Sequence, residues 1–234
     1  MKSLPKLTIA GVMMACAQNA YAAELEISIQ NLTQGVYFTP LLITAHSSDA
    51  HLFELAQPAS MELQAMAEGG SLDGLMTVVD GAGANSVANP AGGLLAPAQA
   101  TSAMLSTTHG NTQLSVVGMI LPSNDGFVGL DSWTIPSEPG TYHVYLKAYD
   151  AGTEANDEIR GGGAPGTSGM PVPPPLESVI GTGGSGVAMS QNNMTVHIHP
   201  GSIGDDDSTG GKSDLNNTVH RWLNPVAKLT VTVQ

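Results

Sequence analysis

TYHVYLKAYDAGTEANDE (residues 141–158) changes character halfway along. Tyr142, Val144, Leu146 and Ala148 alternate with His143, Tyr145, Lys147 and Tyr149, and a period of two marks a half-buried strand. The strand then runs into Asp150, Glu154, Asp157 and Glu158, four acids in nine residues with Lys147 the nearby cation. A strand that ends in crowded carboxylates sets two expectations. One is a sheet with one face in a core. The other is a loop in which like charges need relief.

Working outward, the same period recurs. ELEISIQN (24–31) places Leu25, Ile27 and Ile29 on one face, and VAKLTVTVQ (226–234) does so with Leu229, Val231 and Val233. QGVYFTPLLITAH (34–46) is β-branched and aromatic, with Pro40 implying a kink or an edge. ATSAMLSTT (100–108) and TQLSVVGMILP (112–122) read as two strands joined by His109-Gly110-Asn111, FVGLDSWTIP (127–136) as a short extended segment, and NMTVHIHP (193–200) as a strand. Ser60–Gly69 carries helix signals: a capping serine, Glu62 in the first turn, and Gly69-Gly70 as a stop. Residues 71–97 read as loop, and 161–186, rich in Gly and Pro, as a flexible solvated insertion. Many short strands with little helix indicate an all-β, antiparallel β-sandwich.

The N-terminus reads as a signal peptide over residues 1–22: Lys2 and Lys6, a short apolar run, then Ala20-Tyr21-Ala22. The remainder, 23–234, reads as one domain, secreted or periplasmic. A cell-surface lipoprotein anchored at Cys16 is the alternative placement. Cleavage removes two lysines, the single cysteine and no acid, from a chain of 234 residues with 20 acidic and seven basic residues and a formal charge of −13. Such a chain has no basic footprint for nucleic acid, no disulfide, and no later run long enough for a membrane helix.

Two acidic segments flank the 141–150 strand, and antiparallel pairing of neighbouring strands can bring such loops together. SNDGFVGLDS (123–132) carries Asp125 and Asp131, and DAGTEANDE (150–158) carries the four acids of the opening. Carboxylates held together repel. Ca2+ takes about 6–8 oxygen ligands at roughly 2.3–2.6 Å. Asp125, Asp150, Glu154, Asn156 and Asp157 offer such a set, although acidic loops are also ordinary solvated surface. The Asp205-Asp206-Asp207 run, with no obvious partner strand, is read as that. His197 and His199 share one face of a strand. They read as a polar face, with a second metal as the sharper alternative. There is no G-x-S-x-G elbow. With 4% aromatic residues, a sugar-lined cleft is not expected either, so no catalytic residue is assigned. Trp133 and Trp222 read as packing residues.

SNDGFVGLDS, followed by a strand and AYDAGTEANDE, resembles the spondin N-terminal domain, the domain of F-spondin and mindin. NLTQGVYFTPLLITAH and HRWLNPVAKLTVTV resemble its two ends, so the likeness spans about 25–234, as in stand-alone secreted bacterial members. The resemblance implies a sandwich of about eight strands, similar to calcium-dependent lipid-binding domains, with a Ca2+ at one end. By position it places the metal ligands on Asp125, Asp150 and Glu154, with Asp157 a fourth, and leaves Asp131 to fix its loop through hydrogen bonds. It implies an extracellular binding or adhesion module with an extracellular protein or glycan partner. The chain lacks the cysteines of the animal domains. The alternatives are a metal- or carboxylate-dependent extracellular hydrolase and a calcium-dependent lipid-surface module.

Overall fold

A computed structural model describes residues 22–234, so the expected signal peptide, but for its last residue, and Cys16 lie outside the described residues. In chain order the strands are β1 (Glu24–Asn31), β2 (Tyr37–Phe38), β3 (Leu42–His46), β4 (Asn85–Ala88), β5 (Ala100–Ser106), β6 (Gln113–Leu121), β7 (Gly126–Thr134), β8 (Gly140–Asp150), β9 (Arg160–Gly161), β10 (Met170–Pro171), β11 (His197–Ile198) and β12 (Ala227–Val233). Two helices, α1 (Met61–Gly69) and α2 (Asp73–Gly81), follow β3. Among the described residues no helix is long and apolar enough to cross a membrane.

Eight strands form one antiparallel sheet in the order β4-β3-β6-β7-β8-β12-β1-β5. It folds over so that its two halves face each other across a shared core. Ile43, Leu114 and Val116 from one half pack with Ile27, Leu146 and Leu229 from the other. The result is the expected sandwich, nearly closed between β4 and β5. β5 and β6 are consecutive but do not pair. β5 lies on β1, and β6 lies between β3 and β7.

The seam between the halves is the short ladder of β7 on β8, where Gly126–Gly129 pair with Lys147–Asp150. This ladder decides where the acids go. It sets the turn before β7 against the loop after β8, at one end of the sandwich.

β6 is buried from Leu114 to Leu121. Leu114, Val116 and Ile120 face the sandwich core, while Val117, Met119 and Leu121 face a second core beneath the helices. α1 forms where its signals lie: Ser60 Oγ accepts from Leu63 N at 3.1 Å, and Gly70 closes the helix at φ 71°. α2 falls in a stretch read as loop. Gly74 and two adjacent valines give it poor intrinsic propensity, but Leu75 and Val79 bury beside Leu63 and Met66. Packing overrides propensity there. The 161–186 segment is likewise more than solvated chain, because Met170, Leu176 and Ile180 are buried in the same second core.

Candidate metal centre at the acidic end of the sandwich

Asp125 precedes β7 and Asp150 ends β8. Their main chains are tied, since Gly126 pairs with Asp150 and Ala151 N donates to Asp125 O at 3.2 Å. Both side chains are fully buried, at 0% exposure. The two-stranded register therefore forces together two groups that repel.

Asp125 is half satisfied. Its Oδ2 accepts from Thr153 N at 2.8 Å and Glu154 N at 3.1 Å. Its Oδ1 has no hydrogen-bond partner. Burial, and after it the neighbouring Asp150 carboxylate, pushes Asp125 up to about 7 against these N–H donors. Buried polar atoms are normally paired, so an orphaned carboxylate oxygen calls for a cation or a proton.

Asp150 is capped by neutral donors. Its Oδ1 accepts from Gly152 N at 2.8 Å and Gln191 Nε2 at 3.2 Å. Its Oδ2 accepts from Asn156 Nδ2 at 2.6 Å. Gly152 is required here. Its φ is 73°, and a Cβ would meet Thr195 N at 2.6 Å, so the 187–196 loop crosses directly over it.

Glu154 and Asp157 lie in the same loop with their carboxylates turned to Asn124. Asn124 Nδ2 donates to Glu154 Oε1 and to Asp157 Oδ1, each at 2.8 Å, while its Oδ1 accepts from Glu158 N. Gly169 N also donates to Glu154 Oε1. Burial holds Glu154 above its ordinary value, with Asn124 and Gly169 opposing. Glu154 thus reaches the Asp125–Asp150 pair through its main chain: its N–H serves Asp125, and its carbonyl accepts from Gln191 Nε2 at 3.1 Å.

The two histidines separate by tautomer. β11 pairs with the end of β8, setting His197 opposite Asp150. His197 Nδ1 donates to Thr195 O at 2.8 Å, and its Nε2 lies 3.7 Å from Asp150 Oδ2. His199 is buried against the Trp222 ring, so it is not the exposed polar group the strand pattern suggested. Gly201 N donates to its Nδ1, so Nε2 carries the proton and cannot ligate a metal in this geometry. Burial holds the ring neutral, down to about 4.

Other acids staple loops. Glu158, 5% exposed, accepts from Ile203 N at 2.6 Å, Gly204 N at 2.8 Å and Ser213 Oγ. Asp214 accepts from Arg160 N and Gly184 N. Asp205, in a run read as solvated loop, accepts from Asp207 N, Lys212 N and Ser213 N, and the Ser213 and Lys212 N–H groups hold it below its ordinary value. Asp131 fixes its loop as the resemblance implied: Oδ1 accepts from Leu52 N and Oδ2 from His51 Nδ1.

Among the described residues no group of three or more His, Cys, Asp or Glu side chains is arranged to hold a metal ion. Any ion here relies on two carboxylates supplemented by neutral oxygens. The side-chain amides of Asn156 and Gln191 stand beside the pair with their N–H2 groups turned to Asp150, and the Glu154 carbonyl accepts from Gln191. Neither the contacts of Asn124 with Glu154 and Asp157 nor the approach of Gln191, 41 residues from Asp150, carries a signal in the sequence. A model of the Spondin_N family matches residues 29–159, a span that holds all four predicted ligands and stops short of Gln191 and His197. Among curated proteins none matches.

Proposed function

This chain belongs to the Spondin_N family, the spondin N-terminal domain, and from that premise we propose that it is a secreted, non-catalytic binding or adhesion module with one structural Ca2+ at the acidic end of the sandwich. The observation that carries the ion is the fully buried Asp125–Asp150 pair with Asp125 Oδ1 unpartnered. Asp125 and Asp150 would hold it. When bound, the ion supplies positive charge between two carboxylates and ties the turn before β7 to the loop after β8. Glu154 contributes its main chain, and Asn124 keeps Glu154 and Asp157 oriented.

The non-catalytic reading is supported by where nucleophile–base pairs sit. Ser115 Oγ is 2.7 Å from His46 Nε2, but both residues are buried, and the pair joins β3 to β6. Ser132 Oγ and Asp131 Oδ2 both contact the same nitrogen, His51 Nδ1, so no base faces the hydroxyl with an orienting acid behind it. A binding role at the ion's end is supported by exposed Met189 and Met194 on the 187–196 loop and exposed Ile198 on β11, which pairs with the end of β8. The expected partner is an extracellular protein or glycan.

Thermal unfolding of metal-freed protein in EDTA, in CaCl2 and in MgCl2 tests the ion. A cation bound by the native state alone stabilises by about 2.7 kcal/mol at a hundredfold excess over Kd. The expected result is a rise in midpoint with calcium that is absent in Asp150→Ala. No calcium shift in the wild type would sink the reading.

A further inference from the structure

Two carboxylates cannot fill the shell of a calcium ion, and groups already beside them can supply remaining oxygens alongside water. Gln191 is the nearest such group on a separate loop. Its Nε2 lies 3.2 Å from Asp150 Oδ1 and 3.1 Å from the Glu154 carbonyl. These are an anionic and a neutral oxygen facing the same small volume, and the polarised N–H2 group takes the place between them that a cation would favour. The loop that carries it is anchored on both sides. Val187 N donates to Asp157 O at 3.0 Å, Val196 N donates to Gln57 O at 2.8 Å, and Thr195 closes over Gly152. Gln191 is therefore held at the pair by its loop.

Building on the calcium site proposed above, we propose that Gln191 is a ligand of that ion, contributed by the 187–196 loop from outside the family-matched span. A half turn about the last side-chain torsion exchanges Nε2 for Oε1. Without a cation this would set three oxygens against one another, so the N–H2 group faces inward. With a cation the same three oxygens converge on it. Gln191 thus works in both states, as a donor to Asp150 when the ion is absent and as a donor of electrons to the ion when it is present. The 187–196 loop, with exposed Met189 and Met194, is tied to the ion through this one side chain.

A simple cap and a ligand predict opposite signs. If Gln191 only caps Asp150, removing its amide removes a competitor, and calcium binds as well or better. If it is a ligand, binding weakens. The experiment is calorimetric titration of metal-freed protein with CaCl2 for wild type, Gln191→Met, Gln191→Glu and Asp150→Ala. Gln191→Met keeps the length and removes the oxygen. The expected result is one site in wild type, affinity weakened by about tenfold or more in Gln191→Met, recovery in Gln191→Glu, and no heat in Asp150→Ala. The recovery separates a lost ligand from a damaged fold. Binding by Gln191→Met at wild-type strength or tighter overturns the role of Gln191 and leaves the site standing. So does failure of Gln191→Glu to recover. Absence of binding in the wild type overturns the calcium reading itself, and this inference with it.

Discussion

The sheet and the 151–226 segment solve one problem, partners for buried backbone N–H groups, in two ways. In the sheet the ladders do it: β1 exchanges bonds with β12 along seven pairs and with β5 along seven more. In the 151–226 segment regular pairing is confined to two-residue strands. Its N–H groups go instead to scattered backbone carbonyls and, at several crossings, to acids. Glu158, Asp214 and Asp205 each accept from two or more backbone donors. A carboxylate ringed by N–H donors is compensated in place and needs no ion. Asp125 sits where the two regimes meet. One of its oxygens is served by the loop, and the other is left bare by the sheet register. The difference shows that acid content alone says little about cation binding. What matters is whether each buried oxygen has a donor.

An amide swap at the two kinds of acid should break this comparison if it is wrong. Glu158→Gln keeps shape but replaces a charged acceptor with one that carries an N–H2 facing Ile203 N, Gly204 N or Ser213 Oγ. The expected cost is about 3 kcal/mol, read as a lower unfolding midpoint in EDTA and in calcium alike. A loss present only in calcium would move Glu158 into the ion site.

Asp125→Asn should go the other way. Its Oδ1 can keep the Thr153 and Glu154 donors, and its Nδ2 takes the position of the orphaned oxygen beside Asp150. In EDTA at pH 8 the variant is expected to be more stable by about 1–3 kcal/mol, since a buried charge and a repulsion are removed. The calcium response is expected to disappear. Destabilisation in EDTA would mean that Asp125 is already compensated, and the contrast with Glu158 would be lost.

The two regimes also differ in how far sequence exposes them. β1, β8 and β12 declare themselves by strict alternation, because one face meets the core and the other does not. The nearness of Asp125 and Asp150 was readable too, because it needs just one antiparallel pairing between consecutive strands. What stayed hidden is long-range. Glu158 finds Gly204 46 residues away, and Asn124 collects acids 30 and 33 residues away. No period or spacing encodes such contacts. The same holds for α2, whose helix depends on neighbours for Leu75 and Val79, and for Met170, Leu176 and Ile180, which look like loop residues until the second core is seen. His199 misled for a related reason. Alternation identifies a strand's two faces but does not say that Trp222 covers one of them.

The smallest expected effect comes from a staple on the sheet side. Asp131 at the β6–β7 bulge holds His51 Nδ1 at 2.7 Å, and the pair is open to solvent, with His51 36% exposed. The hydrogen bond to Asp131 raises His51 above its ordinary value, against a lowering by burial. A raised histidine stabilises fully below its unfolded value near 6.5, and that contribution fades as pH rises through the folded value. Solvent screening should keep it to a few tenths of a kcal/mol. Unfolding midpoints of wild type and His51→Gln in EDTA should therefore differ most near pH 5.5 and converge by about pH 8.5. Comparing the two proteins at each pH cancels titration at Asp125, which both share. A difference as large as that of Glu158→Gln would mean that exposure does not weaken a carboxylate staple. A difference that persists unchanged to high pH would assign the effect to packing of the 47–60 loop, leaving Leu52 N as the bond through which Asp131 holds it.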